Sequence, residues 1–496
     1  MVIKRLAVNI GLRFDYSYAY EPEKHRPQLL NYKVGPQFLN PVLAQIDPNI
    51  LLKALNDQYH HDPTIEYNHV SPLDEHHIPY RKTVEFTTLS PRIGFVYDLF
   101  GNGKTAIKLS LARYYEPIWS GKYNAPQLIS AGSMNWYWYD LNGNGYMDLP
   151  RSGPADPKYI DPNGDKYVLT SYVVQDPNIK YYSDDIKCPY MNEFIIGIEH
   201  ELMKDFRLGI QFLYKQNKNI TEDVDAVNGY DPNKKDEQGR PIWLPYTFVD
   251  PGWDGKWGTS DDKQFTVYGL ASYAPTPYFL GSNPPGCKRE YKGLIVSFQK
   301  RMSHRWQLSG SIVYSAFTGT ANHNYGGAEG ETALYDDPNS LINADGRIRY
   351  DRPLNIKILG TYILPLDIAV SAYFNYRSGS PWARTIERVY FPPGFGARVS
   401  YVGIQAEPFG TRRTPSEAWL DMRVEKSFNF RNLGRLSLYL DLFNVTGSTS
   451  IDINQNPNIR VYYYQTPPTY TVDSTYGRIN SVTGVRSARF GLRWSF

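Results

Sequence analysis

The chain has 496 residues, with Lys+Arg 53 against Asp+Glu 50 and a net charge of +3, a balance that leaves no electrostatic footprint for nucleic acid. Its 2 cysteines exclude a disulfide-stapled scaffold and a Cys-rich zinc module. A hydrophobic fraction of 41% and a mean hydropathy of −0.49 make it too polar for a bundle of membrane helices, yet 42 Tyr and 39 Gly suit transmembrane β-barrels and soluble β-proteins alike.

The first residues are basic, but no apolar segment or small-residue cleavage site follows, so the sequence shows no export signal. It is expected either to be cytoplasmic or to begin part-way into a longer precursor. Alternation starts at once: Leu6, Val8, Ile10, Leu12, Phe14 and Tyr16 share one face, opposite Asn9, Gly11, Arg13 and Asp15. The same period of two predicts strands near 4–17, 92–100, 103–114, 191–203, 205–218, 289–302, 304–317, 353–364, 366–378, 418–430, 433–447 and 485–496. Near the end, Leu436, Leu438, Leu440 and Leu442 oppose Arg435, Ser437, Tyr439 and Asp441, and Phe490, Leu492 and Trp494 oppose Arg489, Gly491 and Arg493.

Connections alternate between short and long. Tight turns are expected at Gly101-Asn102-Gly103, Met203-Lys204-Asp205, Ser303-His304, Pro365-Leu366 and Arg431-Asn432-Leu433. Long segments run near 17–91, 115–190, 219–288, 318–352, 379–417 and 448–484. A soluble sandwich also alternates, but these strands match the roughly 9–11 residues a tilted strand needs to cross a bilayer. Strand length, loop asymmetry and aromatic strand ends predict an antiparallel transmembrane β-barrel wall of about twelve strands, occupying 1–496 as one domain. Short turns then face the periplasm and long loops the exterior, in the cell outer membrane of a Gram-negative-type bacterium. Charged residues on the polar face must line water.

Several pieces of the sequence are familiar. They include Leu89-Ser90-Pro91-Arg92-Ile93-Gly94-Phe95, Tyr291-Lys292-Gly293-Leu294, Tyr376-Arg377-Ser378-Gly379-Ser380-Pro381-Trp382, Leu420-Asp421-Met422-Arg423 and Asp441-Leu442-Phe443-Asn444-Val445-Thr446. In their order and spacing the chain resembles the C-terminal part of TonB-dependent outer-membrane receptors, especially the Oar-like group. The resemblance implies a 22-stranded barrel with an N-terminal plug, of which this sequence shows neither the plug nor the upstream strands. A truncated receptor and a complete twelve-stranded barrel both fit. It further implies that Phe496 is the assembly signal for the barrel-assembly machinery. Contact with a TonB-type energy transducer is expected only if the plug lies upstream, and outer-membrane lipid is the remaining partner.

Two loop segments are candidate metal sites. In the segment from Asp140 to Asp148, oxygen ligands from Asp140, Asn142, Asn144 and Asp148, with the Tyr146 carbonyl and a glycine turn at Gly145, match the opening of a calcium loop. The usual carboxylate at position 12 is replaced by Arg151, and a plain Asn/Gly turn cluster fits as well. Asp250, Asp254, Asp261 and Asp262 form a second acidic, Asp-Gly-rich loop, read as structural calcium or as an exposed turn. No other cofactor is expected. His25, His60, His61, His69, His76 and His77 gather early but lack the spacing that aims two imidazoles at one ion. Cys188 and Cys287 precede strands two apart, roughly 10 Å by strand spacing, so pairing needs loop movement.

No nucleophile elbow, phosphate loop or zinc-protease helix is present, which argues against an enzyme. Trp136, Trp138, Trp243, Trp253 and Trp257 suit either ligand contact or loop packing. The expected function is a receptor or transporter for energy-coupled uptake of a bulky ligand. The competing reading is a passive porin-like pore or a surface-binding barrel without coupling.

Overall fold

A computed structural model describes residues 5–26, 76–118, 133–140, 143, 165–173, 181–320, 335–430, 434–454, 460–462, 464–465, 469–472 and 474–496. Twelve long strands carry the chain: β1 (Leu6–Glu21), β2 (Arg81–Asp98), β3 (Thr105–Tyr115), β4 (Tyr190–Met203), β5 (Phe206–Lys218) and β6 (Arg289–Ser303). They continue through β7 (Trp306–Gly319), β8 (Leu354–Leu364), β9 (Ile368–Arg377), β10 (Glu417–Phe430), β11 (Gly434–Phe443) and β12 (Ser487–Ser495). Each is hydrogen-bonded to its neighbours in chain order, antiparallel throughout the registers from β2 to β12. The strand order among the described residues is a path with β1 and β12 at its two ends, and so differs from a closed ring of twelve.

Two compact units divide the chain: 1–16 with 86–117 and 184–496, and 17–85 with 118–183. The smaller unit holds the far ends of β1 and β2, where Arg81 Nε donates to Glu21 Oε2 at 2.7 Å, and an antiparallel hairpin of Ser133–Asp140 with Asp165–Val173. The rest of the fold belongs to the larger unit.

In the larger unit the period of two becomes continuous cross-strand rows. Ile107, Ile198, Ile210, Val296, Ile312 and Ile356 are successive register partners across β3 to β8. The adjacent row, Ala106, Glu199, Gly209, Ser297, Ser311 and Lys357, is polar or small. Further on, Val424, Leu440 and Phe490 form one row and Arg423, Asp441 and Arg489 the next. Exposure is inverted relative to a soluble protein. Ile196, Ile198, Ile210, Phe212, Leu294, Leu440 and Phe490 are exposed, whereas Ser427, Ser437 and Asp441 are buried. Leu436, Leu438 and Leu442 are half-buried, so none of the four leucines of β11 sits in a dry interior.

Short connections follow the expected places. Between β2 and β3, both carboxylate oxygens of Asp98 accept backbone N–H groups, from Gly101 at 3.0 Å and Gly103 at 2.8 Å. Both glycines have positive φ. At the β6–β7 turn the two left-handed residues are His304 and Arg305, which lack glycine's freedom. The turn expected at 431–433 lies outside the described residues.

Two expectations need correction. β2 begins at Arg81, not near 92, so the preceding connection is shorter than 17–91. Alternation in fact runs back through Ser90, Thr88, Phe86 and Val84, all buried. Pro91 mimics a boundary because it cannot donate to a ladder, yet the strand passes through it. Nor are the long connections plain loops. They hold antiparallel pairs of their own, Trp243–Asp250 with Lys263–Leu270, Glu222–Asp225 with Phe279–Ser282, and Thr385–Tyr390 with Tyr401–Gln405.

Replacing Leu440 with Arg, between Val424 and Phe490, should cost about 2–4 kcal/mol if that row meets hydrocarbon near the bilayer centre. Denaturant unfolding in phospholipid vesicles reads this directly, and a change under about 1 kcal/mol places the row near an interface instead.

Candidate functional site

The first candidate surface is the polar face of the sheet. Many of its charges are paired across the strands, some directly in register and others on the diagonal, which offsets the cost of holding them together. Glu199 of β4 takes Lys108 of β3 at 2.7 Å and Arg207 of β5 at 3.3 Å. Glu193 of β4 and Lys215 of β5 lie 3.0 Å apart. Across β10, β11 and β12, Asp441 is shared by two arginines, with Arg489 Nη2 at 2.6 Å and Arg423 Nη2 at 3.0 Å from Oδ2, while Arg493 reaches Glu425 at 3.1 Å. Small residues keep part of this wall low. A concavity of about 350 Å³ lies along β1 to β6, lined in part by Asn9, Gly94, Lys108, Gly197, Gln211 and Ser297. A Cβ on Gly209 would meet Ser297 Oγ at 2.8 Å.

The second surface is a folded cap built by the connections after β5, β7, β9 and β11. Thr385–Tyr390 pairs antiparallel with Tyr401–Gln405 and in parallel with Arg460–Tyr462, which joins the β9–β10 and β11–β12 connections in one sheet. Beneath it lies a dry core of Phe248, Val267, Ile386, Val389, Phe391 and Ile404. Each such side chain is worth about 1.5–3 kcal/mol when fully buried. Buried apolar packing of the soluble kind is thus concentrated in the connections, whereas the long strands expose their apolar face.

A buried ion pair crosses the cap. Asp250 is 1% exposed and Arg384 3%. Arg384 Nη2 donates to Asp250 Oδ1 at 2.9 Å and to the Tyr470 hydroxyl at 2.7 Å, and Nη1 donates to Oδ2. Burial opposes the charge on Arg384, but the Asp250 carboxylate and Tyr470 outweigh it and hold the guanidinium above its ordinary range. Nearby, Arg412 stacks on Trp253 at 4.1 Å and forms a two-pronged pair with Glu407 at 2.8 and 2.9 Å. Trp253 packs against Trp382 and Tyr476 at ring distances of 5.8 and 5.6 Å.

The expected metal residues are distributed as follows. Asp140 ends the strand Ser133–Asp140 and Gly143 has a left-handed φ of 72°, while Asn142, Asn144, Tyr146 and Asp148 lie outside the described residues. In the second loop, Asp254, Asp261 and Asp262 share one turn, but Asp250 points away to Arg384. Asp261 Oδ2 accepts the Trp253 N–H at 2.7 Å, Asp254 Oδ1 that of Lys256 at 2.8 Å and Asp262 Oδ2 that of Gly258 at 2.7 Å. The Thr259 hydroxyl and the backbone N–H groups hold the Asp261 carboxyl below the usual range. These carboxylates hold the turn together as it stands. Among the described residues no group of three or more His, Cys, Asp or Glu side chains has a metal-holding arrangement.

His25 and His77 are register partners in a short strand pair, and His77 contacts Glu23 at 2.6 Å; His60, His61 and His69 fall outside the described residues. Cys188 and Cys287 are both buried thiols. Of the tryptophans, Trp243 is buried within the connection after β5, Trp257 donates to the Val249 carbonyl of that connection at 3.1 Å, and the partly exposed Trp253 packs against Trp382 of the connection after β9. Phe496, the expected assembly signal, is fully exposed at the end of the chain. The cap residues Arg384, Glu407, Arg412 and Tyr476 escaped the sequence reading, although the short alternation of Val402 and Ile404 at 401–405 could have pointed to a strand there.

A buried acidic neighbourhood in the cap adds pH dependence. Burial, then the charges of Asp223, Asp337, Glu222 and Asp225, push the Asp336 carboxyl up to about 7. The folded state therefore holds a proton that the unfolded state has released, and the stability it supplies is present at low pH and lost as pH rises from about 4 to about 7. Amide exchange at 335–345 should quicken across that window, and Asp336→Asn should flatten the profile. Removing the other buried charge, by Arg384→Met, should cost about 3–5 kcal/mol because Asp250 is left unpaired. Limited proteolysis within 378–416 reads that loss as faster cleavage.

The chain matches the family model described as an outer membrane beta barrel domain over residues 1–386. It is 22% identical to "TonB-dependent transporter Oar" of Myxococcus xanthus over 459 residues, which cover 82% of this chain and 38% of that protein. The chain thus spans well under half the length of this curated relative. Among solved structures it resembles the outer membrane transporter YddB of Escherichia coli, with 13% identity, a TM-score of 0.40, and 84% of this chain and 42% of that one covered. It also resembles the siderophore receptor PiuA of Acinetobacter baumannii, with 11% identity, a TM-score of 0.40, and coverage of 99% and 41%. Exposed apolar rows, a paired polar face, short turns opposite long connections and the match across most of its length together place the chain in the cell outer membrane, as a member of the outer-membrane β-barrel domain family.

Proposed function

We propose that this chain forms part of the wall and the external cap of a TonB-dependent transporter that takes up a bulky ligand across the outer membrane. The observation that carries the reading is the cap: connections from four hairpins are welded by strand pairing, a dry core and the Arg384–Asp250 pair. A passive pore gains little from such ordering, whose conformational-entropy cost is large. A receptor gains a preorganised surface for its ligand. The relative's name, TonB-dependent transporter, supports the same reading and favours transport over catalysis.

Planar bilayers separate coupled transport from a free pore. The protein as the cell makes it should show no stable large conductance, and wide ohmic channels would favour the pore. A second expectation concerns assembly. Deleting Phe496, the exposed aromatic end, should slow insertion and reduce the heat-modifiable folded band in gels. An unchanged band removes the role proposed for it with the assembly machinery.

A further inference from the structure

Four arginines converge where the connections after β7 and β9 return to the sheet. Arg377 and Arg352 share Glu417, with Arg377 Nε donating to Oε2 at 2.6 Å and Arg352 Nη1 lying 3.6 Å from Oε1. Arg413 and Arg347 share Asp351, with Arg413 Nη2 donating to Oδ2 and Arg347 Nη1 lying 3.9 Å from Oδ1. Neighbouring carbonyls tie the two pairs together: Arg352 Nη1 donates to Ser378 O at 2.6 Å and Arg413 Nη1 to Gly379 O at 3.1 Å.

Charge does not balance in this cluster. Among the described residues, ion pairs join these four guanidiniums to Asp351 and Glu417, leaving an excess of two positive charges. Both carboxylates are deeply buried, at 1% and 2% exposure, and already engaged. Burial, reinforced by the charges of Arg377 and Arg413, pulls the Arg352 guanidinium below its ordinary range. Gathering like charges in a partly desolvated place costs free energy that an arriving anion removes. The Arg347 and Arg377 side chains remain over a third exposed, so an anion can reach them. Arg377 faces Glu417 in register, on the same side of the strands as the Arg423–Asp441 pair, and its guanidinium lies 4.9 Å from the Trp419 ring. That side is the polar one, away from hydrocarbon.

We propose that the Arg347–Arg352–Arg377–Arg413 cluster binds an oxyanion group, a carboxylate or phosphate, carried by a soluble ligand. The planar guanidinium fork matches such groups through two parallel N–H donors. The proposal deepens the transport reading, and rests on it only for the oxyanion being part of the cargo.

Citrate and inorganic phosphate, titrated into the folded protein in detergent at constant ionic strength, serve as probes. Calorimetry should show saturable citrate binding that chloride does not reproduce. Arg347→Gln, the variant least tied into the fold, should weaken it about tenfold, the loss of one charge-assisted contact. Arg240→Gln, in a separate surface pair with Asp236, should leave it unchanged. Equal citrate affinity in Arg347→Gln and the parent overturns the site, as does an absence of saturable binding. Nanodiscs of phosphatidylglycerol separate the two sources of phosphate: citrate binding should persist there, and its abolition would assign the cluster to a lipid headgroup and overturn a soluble ligand. If citrate binds as expected but uptake proves uncoupled, the transport reading fails and the site stands.

Discussion

The constraint on which the rest depends is the unbroken ladder of main-chain hydrogen bonds from β1 to β12. In hydrocarbon no water is available to satisfy a backbone N–H or carbonyl, so a spanning strand needs a partner on each side, which β2 to β11 find in their neighbours among the described residues. Once the ladder is fixed, side chains alternate by geometry alone, and one residue of slippage would exchange the two faces. The rows from Ile107 to Ile356 and from Ala106 to Lys357 show that the register holds across six strands without such a slip. Even the irregularities in β4 and β6, between Glu201 and Met203 and between Lys300 and Ser303, fall at the turn ends, where the consequence for the faces is small.

Electrostatics on the polar face follows from the same register. Because strands are antiparallel and in phase, residues of opposite sign on adjacent strands arrive side by side, as Glu193 and Lys215 do, or on the diagonal, as Glu199 does between Lys108 and Arg207. Asp441, held between Arg423 and Arg489, links three consecutive strands through one carboxylate. Solvent screens the exposed members of these pairs, so their value lies in keeping charges mutually satisfied and the wall ordered more than in raw stability. The buried Arg384–Asp250 pair is a different case. It sits in the dry cap, where removing either partner leaves a charge with no water to receive it.

Most of the wall was legible in the sequence because neither a helix nor an irregular segment sustains a period of two over ten or more residues. Eleven of the strand starts fall within two residues of the alternation. The exception, β2, was hidden by Pro91 and by buried Thr88 and Ser90, which read as loop composition although they occupy strand positions. The cap was much less legible. Its strands are two to eight residues long, and some of their partners lie far away in the sequence, such as Val389 with Val461. No local pattern encodes a parallel contact between two separate connections. For the same reason Asp250 looked like a member of an acidic turn, when its partner Arg384 lies 134 residues further along.

The parallel pairing of Thr385–Tyr390 with Arg460–Tyr462 makes two connections into one inheritable unit. Surface segments of this kind usually diversify independently, each free to lengthen or shorten. Here a chimera that borrows the β9–β10 segment from a relative, but keeps its native β11–β12 segment, would bring together halves of a seam that never evolved as a match. Sequence drift in one should therefore track drift in the other, and grafting experiments should exchange the two together.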